Sequence, residues 1–77
     1  MIKNDILWLI GGNCQNFRLR NHYTQVGASK EIGCSVENVS GFENGRNDNM
    51  LILLWYVSKG MTIQEILKGV NLYGIKD

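Results

Sequence analysis

Residues 24–45, TQVGASKEIGCSVENVSGFENG, contain two short helical patterns separated by a glycine. In the first pattern, Thr24 is a good N-cap, and Ala28 and Ile32 lie four residues apart. Gly33 follows directly and is typical of a helix C-terminus. The sequence therefore predicts a helix of about eight residues before Gly33.

A second short helix is predicted after this glycine. Ser35 can cap it, and the spacing of Val36, Val39 and Phe42 gives it one apolar face. The pattern ends near residues 44–45, where asparagine and glycine favour a stop.

The junction between these two helices has a specific steric requirement. Helices that cross after a short turn need a small side chain where their backbones approach, and a left-handed residue in the turn. Ser29 and Gly33 meet these needs. If Val39 and Phe42 face the core, the other side of the second helix faces solvent. That exposed side is expected to comprise Val36, Glu37, Ser40 and Gly41.

Helical spacing also precedes this segment. Apolar residues separated by four, four and three positions predict a first helix from about Asp5 to Asn21, which ends near an exposed His22. Gly11 and Gly12 weaken this helix and leave open a division into two. The residues on its common face are Ile6, Ile10, Cys14 and Phe17.

Two further helices follow the polar loop NGRNDN. Either Asp48 or Asn49 can cap a strongly apolar fourth helix that runs to about Lys59. Thr62 and Glu65 have the spacing of a capping box at the start of a fifth helix, which ends near Gly69. The expected inward face of the fifth helix is Ile63, Ile66, Leu67 and Val70.

The whole pattern predicts one all-α domain spanning residues 1–77, with five helices and a tail at about residues 70–77. One core is what 77 residues with 44% apolar content can build. No alternating strand pattern or internal repeat interrupts the helical spacing. The longest apolar run, residues 50–57, is far shorter than the ~20 residues of a membrane span. With no secretion signal at the start of the chain, a cytoplasmic location without membrane association is expected.

The residues that carry chemistry are sparse. Cys14 and Cys34 are expected to be thiols in a reducing compartment, with a disulfide as the alternative. His22 has no neighbour at zinc-ligand spacing, so no metal or other cofactor is expected. The absence of a nucleophile–base cluster argues against an enzyme.

Residues 10–67 resemble the lambda-repressor-like family of helix-turn-helix proteins, the Cro- and Xre-type transcriptional regulators. The resemblance implies a compact five-helix domain with the helix-turn-helix at about residues 24–43 and the third helix in the DNA major groove. It also implies an ion pair between Arg18 and Glu43. The matching residues are Thr24, Gln25, Ser29, Gly33, Ser35, Val39, Ser40, Phe42, Glu43 and Gly45.

The same resemblance assigns DNA contacts. No arginine or lysine lies between Cys34 and Gly45, so a guanine-rich half-site is not expected unless Lys30 or Arg46 reaches it. The base-reading residues are expected to be Val36, Glu37, Asn38, Ser40 and Gly41. The phosphate-binding residues are expected to be Gln25, Lys30, Ser35, Asn44 and Arg46.

A homodimer is expected from the excess of apolar residues in the fourth helix. At least one of Trp55 and Tyr56 should lie on its outer side, covered either by the tail or by a second subunit. The predicted two-fold interface runs through the fifth helix and the tail, and its residues are Trp55, Tyr56, Leu72 and Tyr73.

These expectations combine into a sequence-specific DNA-binding regulator, a small phage- or bacterium-encoded Cro-like repressor. Its dimer would bind double-stranded DNA at a pseudo-palindromic operator, under the control of concentration, proteolysis or a regulatory protein partner. The alternative is a protein-binding module, such as an antirepressor or an inhibitor, that keeps the fold without DNA binding. The net charge of only +1 and the acidic Glu37 favour this alternative.

Overall fold

The computed structural model describes residues 1–71 as an arrangement of helices. These residues contain no β-strand element, which confirms the all-α class predicted from the helical spacing. The helices are α1 (Lys3–Arg20), α2 (Gln25–Ile32), α3 (Val36–Glu43), α4 (Met50–Ser58) and α5 (Ile63–Ile66).

Side-chain caps begin four of the five helices in this part of the chain. Each cap oxygen accepts a hydrogen bond from a backbone N–H that has no acceptor within the helix. At α4 the cap is Asn49 and not Asp48. At α5 the capping box with Glu65 is complete. The cap residues are Thr24, Ser35, Asn49 and Thr62.

Helix α1 is continuous, so its two glycines do not divide it. Gly11 is buried where α1 crosses the end of α3. A Cβ atom at Gly11 would lie only 2.3 Å from the carbonyl oxygen of Phe42 and 2.7 Å from that of Glu43. Gly11 therefore allows two backbones to touch, a long-range role that helical spacing does not reveal.

The junction of α2 and α3 has the two predicted features, a left-handed residue in the turn and a small buried side chain at Ser29. Gly33 adopts a left-handed conformation with φ of 86°. The N–H groups of Gly33 and Cys34 both donate to the carbonyl oxygen of Ser29, at 2.8 and 3.0 Å. The buried Ser29 hydroxyl donates to the carbonyl oxygen of Val26. These bonds supply donors to backbone carbonyl groups in the last turn of α2, where the chain turns into α3.

The prediction that Trp55 or Tyr56 faces outward is wrong. Both side chains are buried, with Tyr56 stacked on Phe42 at a centroid distance of 6.0 Å. Because α4 is apolar on every side, its sequence does not indicate which arc faces α1 and α2. The predicted partners Leu72 and Tyr73 lie outside the described residues. The exposed apolar side chains of α4 are instead Met50, Leu51, Leu54 and Val57.

Helix α5 is a single turn. Ile66 is buried, but Ile63 is 63% exposed, so the expectation that Ile63 faces inward is wrong. The side-chain amide of Asn13 donates to the carbonyl oxygens of Ile66 and Lys68, both at 2.9 Å. These two bonds attach the C-terminal end of α5 to α1, and the helix ends at Ile66 rather than near Gly69.

The two cysteines are both on or beside the hydrophobic core. The buried Cys14 and the half-buried Cys34 are both free thiols. Burial, with a smaller contribution from the charge of Glu43, raises the pKa of Cys14 to about 12. A helix with the length and hydropathy of a membrane span does not occur in residues 1–71.

Candidate nucleic-acid interface

Helix α3 has one buried and one exposed side. Val39, Phe42 and Glu43 are buried against the rest of the fold. On the opposite side Glu37 and Asn38 are exposed. The α3 outer surface is defined here as Val36, Glu37, Asn38 and Ser40, of which Val36 and Ser40 are half-buried.

Gly41 does not belong to this surface, and the expectation that it is exposed is wrong. A Cβ atom at Gly41 would lie 3.1 Å from Nδ2 of Asn47. The Asn47 side chain folds back onto α3, where Nδ2 donates to the carbonyl oxygen of Asn38 at 3.2 Å. Its Oδ1 accepts from the N–H of Asn49, the cap of α4. This link had no signal in the sequence, because nothing in a polar loop indicates which side-chain amide folds back.

A buried carboxylate fixes the position of α3. Arg18 Nε donates to Oε2 of Glu43 at 2.8 Å, and Arg18 Nη2 donates to Oε1 at 3.0 Å. Oε1 also accepts from Nε2 of Gln25 at 3.0 Å, and Oε2 accepts from the hydroxyl of Tyr56. The Glu43 carboxylate therefore binds donors from α1, α2 and α4 at once. The ion pair implied by the resemblance is present, but the bonds to Gln25 and Tyr56 had no sequence signal.

The protonation of this cluster follows from its contacts. Burial disfavours the charged carboxylate, but hydrogen bonds from Arg18, Tyr56 and Gln25 outweigh burial and lower the pKa of Glu43 below its ordinary value of 4.5. The hydrogen bond to Glu43 raises the pKa of Arg18 against the opposing effect of desolvation. Burial and the bond to Glu43 raise the pKa of Tyr56. At neutral pH the cluster is a charged pair with a neutral tyrosine.

Acid is expected to remove the stabilisation supplied by Glu43. Because its pKa is lower in the folded protein, this stabilisation is complete above the ordinary value of 4.5 and is lost as pH falls through the folded value. Urea denaturation of wild type and Glu43→Gln, from neutral pH to about pH 3, measures it. The wild type should be more stable at neutral pH, and the gap should narrow in acid because a protonated Glu43 resembles glutamine. A gap that does not change with pH would show that the carboxylate charge contributes nothing.

Lys30 and Arg46 are the unpaired cations beside the α2–α3 pair. Both are exposed, and neither forms a salt bridge within residues 1–71. In contrast, Arg20 and Lys59 pair at the surface with glutamates, Arg20 with the carboxylate of Glu65 at 3.1 Å. The two unpaired cations are therefore the available ligands for phosphate.

The other predicted phosphate ligands already have partners. Gln25 uses one amide hydrogen on Glu43 and keeps a second, while Asn44 Nδ2 donates to the carbonyl oxygen of Ser40 at 2.8 Å. Ser35 accepts from the N–H of Asn38 at 3.1 Å. The first-turn N–H groups of α3 before Asn38 have no acceptor within the helix. The Ser35 hydroxyl keeps its own hydrogen, so both this hydroxyl and the backbone amides can donate here.

Side-chain donors and acceptors lie on a fixed helix face beside two cations. Among the residues that the structure describes, no three His, Cys, Asp or Glu side chains are grouped to hold a metal ion. Comparison with known proteins finds no matching family model, curated protein or solved structure.

Proposed function

We propose that the chain is a sequence-specific regulator that binds double-stranded DNA through α2 and α3, which act as a helix-turn-helix of the lambda-repressor-like type. The observation that carries the proposal is the division of α3 into two sides. Its inner side is fixed by Val39, Phe42 and the Glu43 cluster, whereas Glu37 and Asn38 remain exposed. The B-DNA major groove, about 12 Å wide, admits a helix presented in this way.

Base reading is assigned to the α3 outer surface. The carboxylate of Glu37 can accept from a cytosine amino group, and the amide of Asn38 can pair with an adenine edge. Val36 can contact a thymine methyl group. Each good contact discriminates between bases by about 1–3 kcal/mol. Ser40 is a weaker contributor, since it is half-buried and its carbonyl oxygen already accepts from Asn44.

Phosphate binding is assigned to Lys30, Arg46, the second amide hydrogen of Gln25 and the first backbone amides of α2 and α3. Each neutralised phosphate contributes a slope of about −0.9 to the dependence of log K on log salt. Lys30 and Arg46 together therefore give a slope of about −2 per copy of the chain. Such a small slope means weak binding to random DNA, so selectivity depends on the base contacts. A protein bound in this manner can repress transcription by occupying a promoter.

Substitution of the two kinds of residue is expected to have different effects. Arg46→Ala should weaken binding to all duplexes and reduce the salt slope by about 1, because it removes one phosphate contact. Glu37→Ala and Asn38→Ala should instead change which sequence is preferred, each by about 1–3 kcal/mol. Fluorescence anisotropy with duplexes selected from a random pool, titrated at several salt concentrations, measures both effects.

Lys68→Ala is a matched control, because this exposed cation follows α5 and lies outside the α2–α3 pair. It should leave affinity and salt slope close to those of the wild type. Equal losses on every duplex from Arg46→Ala, Glu37→Ala and Asn38→Ala would contradict the division of roles.

A protein-binding module is the second candidate. The observation that favours it is the acidic, cation-free character of the α3 outer surface, where Glu37 is exposed and carries the only charge among the four residues. The absence of salt-dependent binding to any duplex would support this candidate and overturn the first.

A further inference from the structure

Trp8 is an exposed tryptophan on the N-terminal half of α1. Tryptophan side chains are highly buried on average in folded proteins, yet Trp8 is 63% exposed. Within residues 1–71 its indole forms no hydrogen bond and no stacking or cation–π contact. The indole Nε1–H can only donate a hydrogen bond. It is therefore available to an acceptor from another molecule.

The loop after α3 packs on the backbone of α1 at Trp8. Gly45 has φ of 73°, and a Cβ atom there would lie 2.7 Å from Cα of Trp8 and 2.8 Å from its backbone nitrogen. Arg46 follows directly, and its N–H donates to the carbonyl oxygen of Gly41 at 2.8 Å, which holds the loop against α3. The exposed indole and the unpaired guanidinium of Arg46 therefore start from neighbouring parts of the backbone.

Trp8 lies on the side of the molecule that carries the α3 outer surface. Helix α1 runs antiparallel to α3, because Trp8 lies against Gly45 after the end of α3, whereas Leu19 and Val36 line one shallow depression at its start. Eleven residues separate Trp8 from Leu19, which is about three helical turns, so the two share one face of α1. Val36 belongs to the α3 outer surface. This face of α1 therefore borders that surface along the whole of α3.

The charges around Trp8 are compatible with a phosphate ligand. The only acidic residue of α1 is Asp5, which lies about 120° around the helix from Gly11, where α1 meets α3. Trp8 lies between these two positions, about 60° from Gly11. The carboxylate of Asp5 is thus turned away from α3, and Arg46 is the charged group that follows the Trp8 contact.

We propose that Trp8 is a further DNA-binding residue, which contacts the sugar–phosphate backbone of the duplex beside Arg46. This inference rests on the proposed function, the binding of the α3 outer surface in the major groove. Residues that flank a helix in the groove meet the phosphates at its edge. The indole N–H donates to a phosphate oxygen, and the ring packs on the adjoining deoxyribose. Such a contact fixes the register of the protein on the duplex without reading its sequence.

Trp8→Phe separates this role from those of the other residues, because it keeps an aromatic ring and removes the N–H. Affinity should fall about tenfold on every duplex, as for the loss of one hydrogen bond to a charged group. The salt slope should stay the same, since tryptophan carries no charge. Arg46→Ala is instead expected to reduce the slope, and Glu37→Ala to alter the preferred sequence. Fluorescence anisotropy at several salt concentrations measures all three.

Ile63→Ala is the matched control, because Ile63 is also 63% exposed but lies on α5. It should bind DNA like the wild type. The melting temperature of Trp8→Phe should be close to that of the wild type, since its side chain is exposed. Lost affinity then does not reflect lost folding.

Tryptophan fluorescence of the wild type tests the contact directly. Acrylamide, a neutral quencher, should reach Trp8 in the free protein but not Trp55, which is only 7% exposed. A bound duplex should lower the quenching of the wild type to the level of Trp8→Phe, in which Trp55 is the only tryptophan left. The quenching of Trp8→Phe itself should not change when DNA binds.

If anisotropy shows that a duplex is bound while acrylamide still quenches Trp8, the contact is wrong and the DNA-binding function stands. Equal affinity of Trp8→Phe and wild type would lead to the same conclusion. A loss of affinity confined to particular sequences would also contradict a backbone contact. If no duplex changes the anisotropy at any salt concentration, the inference and the proposed function both fail.

Discussion

Gly11→Ala is expected to lower the free energy of unfolding by about 3 kcal/mol, since the added methyl group overlaps backbone rather than a movable side chain. The new Cβ would lie 2.3 Å from the Phe42 carbonyl oxygen, and 2.7 and 2.8 Å from the carbonyl oxygen and carbon of Glu43. Relief requires α1 and α3 to separate. Alanine favours the helix over glycine by about 1 kcal/mol, which offsets only part of this cost. Thermal unfolding should show a melting temperature lower by roughly 10–20 °C.

Gly12→Ala is the control for this change. It introduces the same methyl group into the same helix, one residue further on, where a Cβ atom meets nothing within 4 Å. Helix propensity alone then applies, and the protein should become more stable by about 0.5–1 kcal/mol. If Gly11→Ala stabilises the protein as Gly12→Ala does, the close approach of α1 to α3 is wrong.

Arg18→Gln is expected to cost about 3–5 kcal/mol, because it leaves the Glu43 carboxylate buried without an opposing charge. The Glu43 side chain is fully shielded from solvent, and only Gln25 and Tyr56 remain as donors to it. Urea denaturation followed by tryptophan fluorescence measures the loss. Trp55 is 7% exposed and is a good reporter of the core, whereas Trp8 is already 63% exposed in the folded protein.

Arg20→Gln provides the comparison on the same helix. The guanidinium of Arg20 also contacts a glutamate, Glu65, at 3.1 Å, but that pair lies at the surface. Exposed pairs of this kind contribute at most about 1 kcal/mol. Similar losses from Arg18→Gln and Arg20→Gln would show that burial of the Glu43 pair does not determine its contribution.

The features that could be predicted from the sequence depend on local hydrogen bonding. Thr24, Ser35 and Thr62 begin helices as predicted, because a cap and the amide that it accepts from lie within three residues. Gly33 ends α2 as predicted, since a left-handed turn favours glycine wherever it occurs. Such signals are complete within a few residues, and the rest of the fold does not alter them.

The features that were missed depend on contacts between distant parts of the chain. In the sequence, Gly11 indicates only a weak position in a helix. Its role becomes visible when α3 is seen to pack against it. The burial of both Trp55 and Tyr56 follows from the orientation of an α4 that is apolar all around. Gln25 was assigned to phosphate alone, and its bond to Glu43, 18 residues away, emerges only once both helices are positioned. The Arg18–Glu43 pair was thus expected from the resemblance, whereas the bonds from Gln25 and Tyr56 to the same carboxylate were not.

The four-helix contact of the Glu43 carboxylate also bears on how such a chain can diverge. A residue without a carboxylate at position 43 leaves donors on three other helices without their acceptor. Single substitutions there are therefore expected to lower the free energy of unfolding strongly. The side chains of Glu37 and Asn38, on the same short helix, form no hydrogen bond with residues 1–71. Substitutions at these two positions are therefore expected to leave the packing of α3 on the rest of the fold unchanged. The residues that hold the fold together and the exposed residues of α3 can therefore change independently of each other.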